Sequence, residues 1–479
     1  MPITPVSLGT TTNTDRDTTT AILINCYAEA IGQEGKIPYP IYACCGFDAW
    51  STLTSGGVTR GMLNLDDSTL YVVSGTNLYS VNTSGTATNL ASISTSGYAY
   101  MARNRNATAP QVFLVTSDGQ MRTIQSGTVS TPTLDSSIPA FNAVCAHDGY
   151  FVFTCPNGNW YISGLNAVTV DPLKFAIAQA VPDVTLRPIT RGTDLIIAGS
   201  KHLEFWADSG STDFPYTRTT VTHVGVYAAP SMANLIAVTP NGTNETVIFV
   251  GNNAQGALLG VMMLNGYQAV KISPYWLDRA IRDEPTQSSI RAFVHSEGGD
   301  TFYTLTASSF TAEYNATTGY WNKRQSQGTS VWKAVDATAF NKSMIFGDGS
   351  SGALYKANPY TLPANMSQIK LRSSRDSGND WSAYRSKTIG DSTAPYERVR
   401  FNRLGQSKED GFTFEVTLSS AYQEAGTDTD MIVIPPTVHA YPHYIIVDAI
   451  YIDSTPGIGE TTKSKGITGL AVDSTTLGA

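Results

Sequence analysis

Charge is the scarcest property of this 479-residue chain: Asp, Glu, Lys and Arg make up 15% of it, against about a quarter in an ordinary soluble domain. Acidic residues (39) outnumber basic ones (31), the formal net charge is −8, and no basic run occurs. Tight binding to nucleic acid through phosphate neutralisation is not expected from such a surface. Long apolar runs are missing too. None approaches the roughly 18 residues of a membrane span, and residues 1–20, rich in Pro and Thr, lack the apolar core of a signal peptide. The five cysteines (Cys26, Cys44, Cys45, Cys145 and Cys155) are odd in number and lack ligand-like spacing. Reduced thiols, made in a cytoplasm, are expected, rather than a disulfide framework or a zinc site.

What the chain does contain is sheet-forming sequence. Forty-one Gly, 24 Tyr and 17 Phe accompany abundant Thr, Ser and Asn, the residues of turns and of solvent-facing strand positions. One unit recurs: an apolar strand, a Gly/Asn/Asp turn, and a second strand carrying an aromatic residue. Copies begin at Thr69, Gln111, Gly149, Thr193, Thr246, Thr301 and Ser343, so successive starts differ by 42, 38, 44, 53, 55 and 42 residues. A period near 40–50 residues, with about four short strands in each, is the signature of a propeller blade. Such a unit cannot bury both faces of its sheet alone, so neighbours must stack and the ring must close. An all-β propeller of six or seven blades is the expectation. The competing arrangement, two β-sandwiches, would show turn signals every 8–12 residues without the longer period.

The expected organisation is an N-terminal arm with first strands over residues 1–60 and a propeller over 61–360. A hairpin with closing strands, or a small β domain, covers 361–430, and a last strand and tail cover 431–479. Residues 274–284 read as a short helix between blades, with Trp276, Leu277, Ala280 and Ile281 on one face. Ser374, Asp376, Gly378 and Trp381 form the Asp-box pattern. In that pattern polar side chains tie back onto a hairpin turn and Trp packs beneath, so it predicts a structural turn and no activity.

No P-loop, dinucleotide fingerprint, GxSxG elbow, HExxH or CxxC pair is present. His147 stands at a strand entry, His202 in a hairpin turn and His223 near Gly225, each read as structural or solvated. No catalytic residue, metal or cofactor is expected. The enzyme alternative is a glycan-binding propeller or sialidase-like depolymerase. It needs three arginines around a carboxylate, a Tyr nucleophile and an acid; Arg60, Arg187, Arg191 and Arg282 are available, but nothing in the sequence selects a triad.

Several short motifs are similar to those of the packaged-DNA stabilisation proteins of short-tailed bacteriophages, also called tail nozzle or tail-hub proteins. Near the start stand Asn25-x-Tyr27-x-Glu29, then Gly46-Phe47 with Cys45 where that family has proline, then Arg60-Gly61. Phe175, Ala176, Ala178, Gln179, Pro182 and Asp183 follow. Next come Glu204-x-Trp206, Gly210 and Phe214-Pro215-Tyr216, and later Gly225 and Arg400-x-x-Arg403-Leu404-Gly405. The resemblance spans roughly residues 20–420. It implies a β-propeller subunit of a six-fold homo-oligomeric ring in the virion tail, assembled in the host cytoplasm below the portal and its head-tail adaptor ring. Implied partners are a tail fibre, tailspike or needle, with double-stranded DNA passing through the lumen without sequence-specific binding. Sparse, net-acidic charge suits a lining that lets DNA pass.

Overall fold

A computed structural model describes residues 21–29, 41–94, 97–106, 109–178, 180, 183–239, 242–253, 259–326, 329–358, 368–374, 382–388, 397–401, 413–419, 446–447, 449–452 and 470–474. Each of the seven recurrent hairpins forms the two middle strands of its own antiparallel sheet, and there are seven such blades. The first comprises Thr59–Asn64, Thr69–Ser74, Asn77–Asn82 and Ala87–Ser92; the second runs from Ala99–Arg103 to Thr128–Ser130, and the third from Ala143–His147 to Val170–Ile177. The fourth runs from Thr185–Arg191 to Tyr216–Thr222, the fifth from Ala233–Thr239 to Gln268–Lys271, and the sixth from Arg291–Glu297 to Trp321–Lys323. The seventh uses Ala334–Phe340, Ser343–Asp348 and Ala353–Asn358, and its outermost strand is Gly46–Thr52.

The middle strands are apolar without alternation because both of their faces are covered. In Asp194–Gly199, Ile196 and Ala198 join the core shared with the fifth blade, whereas Leu195 and Ile197 join Trp160 and Trp206 in the core shared with the third. The two longest spacings in the repeat mark insertions. Val224–Val226, pairing with the far end of the long strand Gly242–Asn253, and a 3-10 turn precede the fifth blade. The helix Tyr275–Asp283 precedes the sixth and buries Trp276, Leu277 and Ile281.

The ring closes through the N-terminal segment. Gly46–Thr52 runs antiparallel to Ala353–Asn358, so the propeller draws in a strand from the residues read as an N-terminal arm with first strands. Phe47 anchors it, its ring stacked 5.1 Å from Trp332 and 5.2 Å from Tyr355. Further out, Ala21–Ile24 lies parallel to Thr413–Ser419 and meets the edge of the sixth blade at Ile24 and Lys323. Gln368–Ser374 pairs with both Thr413–Ser419 and Arg385–Thr388, which builds the later chain onto the sixth blade.

Innermost strands of adjacent blades come close enough to require glycine. At Gly61 an added Cβ would lie well inside contact distance of the Ala99 carbonyl on the second blade's innermost strand. Gly225 is equally tight against the Ser200 carbonyl in the fourth blade's hairpin turn. Because backbone cannot yield as a side-chain tip can, Gly61→Ala is expected to cost about 1–3 kcal/mol, read as a lower chemical-denaturation midpoint with unchanged strand content.

Candidate functional site

Where the chain enters the innermost strands, a cavity of about 580 Å³ opens at the propeller axis. Six blades or their entry loops line it, with Arg60, Tyr98, Tyr100, Asn142, Gln287 and Arg291 supplying the polar and aromatic wall. Two of the arginines lining or flanking this mouth staple their blade to the next. Arg60 of the first blade donates from Nε to the Gly97 carbonyl ahead of the second at 2.7 Å. Arg187 of the fourth donates from Nη1 to the Met232 carbonyl ahead of the fifth at 2.6 Å, and its guanidinium lies 4.8 Å over the Tyr100 ring. Arg291 of the sixth blade reaches further, donating from Nη1 to the Thr59 carbonyl of the first at 2.9 Å. Burial, with Arg291 adding to it, holds the Arg60 guanidinium below its usual pKa against the opposing pull of Asp118.

The innermost strand of the seventh blade contributes Asp336. One carboxylate oxygen accepts from the Ala337 amide at 2.9 Å, and Oδ2 is buried. Burial raises its carboxyl to about 7, against the opposing pull of the Ala337 amide, Arg291, the Met62 amide and Arg187. Burial also pushes the Tyr98 and Tyr100 phenols up, the opposite of the activation a tyrosine nucleophile needs. Among the described residues no His, Cys, Asp and Glu group has the arrangement of a metal site.

Of the arginines offered by the sequence, Arg60 lines the cavity and Arg187 lies over Tyr100 beside it. Arg191 instead pairs with Asp194 at 2.6 Å and lies over Phe205 and Tyr267, and Arg282 is exposed on the helix. Arg291 and Asp336 were not singled out by sequence reasoning. The available signal was positional: both lie on the innermost strands that directly precede recurrent hairpins.

The motif residues act as latches. Asn25 adopts a left-handed backbone (φ 55°) and clasps Gln325 on both sides, its amide donating to the Gln325 carbonyl at 3.0 Å and its oxygen accepting from the Gln325 amide at 2.9 Å. Tyr27 packs edge-on to Phe302 at 5.0 Å. Glu29 lies near Asp300, and burial followed by that charge raises its carboxyl. Beside them Arg324, 2% exposed, pairs with Glu313 at 2.9 Å and Glu297 at 3.2 Å, lies 3.8 Å over Trp332, and donates to the Cys45 carbonyl at 2.9 Å. Burial would raise the Glu297 carboxyl, but Arg324 and His295 overcome it and hold it at about 2.

Asp183 and Glu204 clasp the fourth blade's hairpin. Asp183 accepts from the Val184 and Lys201 amides at 2.7 and 2.6 Å and from His202 Nδ1 at 2.9 Å. Glu204 accepts from the Ala180 amide at 2.9 Å and faces His202 Nε2 at 3.4 Å. Burial lowers the His202 pKa, but the two carboxylates outweigh it and leave it raised. Trp206 meets Trp160 edge-on at 5.0 Å. His147 is buried and hydrogen-bonded to Tyr216 at 3.0 Å, whereas His223 is exposed. Cys44, Cys45, Cys145 and Cys155 are free thiols. Ser374 ends one strand of a hairpin and Arg400 lies within Glu397–Phe401. Pro182, Asp376, Gly378, Trp381, Arg403 and Gly405 lie outside the described residues.

The raised pKa of Asp336 means that the folded chain holds this proton more tightly than the unfolded chain does. Its contribution to stability is full in acid, below the ordinary carboxylate pKa of 3.8, and is lost as pH rises through about 7. Asp336→Asn cannot titrate. Its stability relative to the unsubstituted protein should therefore improve by on the order of 1–4 kcal/mol between about pH 4 and pH 8, measured by urea unfolding across that range.

Similar solved structures include the WD40 domain of Neurospora crassa Pan2 (10% identity, TM-score 0.42, covering 66% of this chain and 97% of that one). Another is a virginiamycin B lyase from Staphylococcus aureus (12% identity, TM-score 0.40, 64% and 97%). A third is the extracellular domain of a putative hybrid two-component system from B. thetaiotaomicron (10% identity, TM-score 0.44, 70% and 44%). No curated protein matches the chain. A family described as bacteriophage P22 Gp10, beta-propeller, matches residues 3–361. That span takes in all seven blades and the strand that closes them, and the chain belongs to this phage stabilisation family.

Proposed function

We propose that this protein is a structural subunit of a phage tail, a nozzle or hub that forms the distal DNA channel below the portal and adaptor. In this reading it retains packaged DNA and carries fibres, spikes or a plug until the genome is ejected. The observation that carries the reading is membership of the phage stabilisation family across the whole propeller. The site chemistry agrees with a structural rather than an enzymatic role: the motif residues are engaged in holding blades and strands together, and the tyrosines at the axis are not activated.

At the propeller's own axis Arg60, Tyr98, Tyr100 and Arg291 wall a cavity of about 580 Å³. A conduit for duplex DNA must then lie between subunits, which requires a ring of copies, six in the proposed assembly. Thirty-one basic residues against 39 acidic ones suit a lumen that holds phosphates weakly.

The test is cryo-electron microscopy of virions carrying the protein, with symmetry determined from the particles. A cyclic ring of six copies at the tail, with duplex density along its axis, is the expected outcome. A single copy per virion, or copies confined to the capsid shell, would overturn the proposal.

A further inference from the structure

We propose that the cavity at the propeller axis is a binding site for a small organic carboxylate with an apolar or aromatic body. The carboxylate is received by one edge of the Arg291 guanidinium, and the body by the tyrosines of the wall. This goes beyond the tail reading and does not depend on it.

Three observations carry the proposal, and each concerns side chains that line the cavity itself. The first is an open pair of donors. Arg291 gives Nη1 to the Thr59 carbonyl at 2.9 Å. Among the described residues its Nε and Nη2 meet no hydrogen-bond partner, and on this half-buried side chain neither atom is shut away from solvent. Those two nitrogens form one edge of the guanidinium, whose parallel N–H bonds match the two oxygens of a carboxylate. The second is charge. The lining carries formal charge on Arg60 and Arg291, both positive, in a chain whose net charge is −8. No carboxylate among the described residues shares the wall. Arg60 commits Nε and Nη1 to the Gly97 and Gly75 carbonyls, so it contributes charge while Arg291 contributes the open edge.

The third is the rest of the wall. Tyr98 and Tyr100, with ring centroids 4.8 Å apart, line the cavity together with Val58, Leu186 and Tyr227. Burial pushes the Tyr98 and Tyr100 phenols up, so they stay neutral and add no negative charge against an anion. An inorganic oxyanion would satisfy the arginine edge and leave this apolar surface wet. A carboxylate on an apolar body answers both, because covering the wall removes apolar area from water. The cavity of about 580 Å³ falls within the roughly 300–1,000 Å³ usual for small-molecule sites.

Isothermal titration of the full chain against 3-phenylpropionate, 3-phenylpropionamide and sulfate, near neutral pH, tests this. Saturable binding of the acid is expected, with the neutral amide and the bare sulfate each weaker by roughly tenfold or more. Arg291→Gln should weaken binding of the acid by a similar factor, whereas Arg279→Gln, on the exposed face of the helix, should not change it. Because Arg291 also holds the Thr59 carbonyl, phenylglyoxal labelling of the unsubstituted protein, mapped by mass spectrometry, keeps the test decisive if Arg291→Gln does not fold. Arg291 should react in the free protein and be protected by the bound acid, with Arg279 reactive in both states. No binding of the acid, amide or sulfate binding as tight as the acid's, equal binding by a folded Arg291→Gln variant, or an Arg291 that is unreactive or unprotected would overturn the proposal.

Discussion

The whole arrangement depends on closing a ring of sheets whose last blade lacks a strand. Ala334–Phe340, Ser343–Asp348 and Ala353–Asn358 would leave an unpaired edge, a liability for any sheet. Gly46–Thr52 supplies the missing strand from about 300 residues earlier in the chain. Because the same strand leads directly into the first blade, one segment binds the first and last parts of the propeller together. Every inter-blade core, including the Trp160–Trp206 contact on the far side of the ring, requires that the ring stay closed.

The polar chemistry of the interior serves the same end. Arg324, with Glu297 and Glu313, pins the residues just before the closing strand through the Cys45 carbonyl. Asn25 fixes the preceding turn to Gln325. A buried ion cluster of this kind adds little over a well-packed apolar one, but removing one member strands the others. It therefore selects one placement of the N-terminal segment more than it raises overall stability. Arg60 and Gly61 show the division of labour within one motif: the arginine bridges two blades through carbonyls, and the glycine lets their backbones meet.

The architecture was legible in the sequence because each blade's middle hairpin is covered on both faces, which produces a repeated apolar signature such as that at Thr69 or Thr193. The outer strands escaped notice because their pattern is weak: Val170–Ile177 alternates between half-buried and exposed positions and carries Pro172. Gly46–Thr52 was hidden for a different reason, since its partner is remote and local pattern says nothing of remote pairing. At the axis, Arg60 was visible through its neighbour Gly61. Arg291 and Asp336 acquire meaning only when strands from the fourth, sixth and seventh blades converge, a fact of closure that no local spacing encodes. Asp183, Glu204 and Trp206 were legible as motif positions, whereas their role as clasps needed the His202 geometry.

Native-state hydrogen exchange on the Gly46–Thr52 amides tests the central claim, that this strand is integral to the ring and not an appendage. The account predicts that the amides paired with Ala353–Asn358 exchange at the rate set by global unfolding, together with those of Ser343–Asp348. Exchange of the Gly46–Thr52 amides through a much cheaper local opening, with the other six blades still protected, would contradict it.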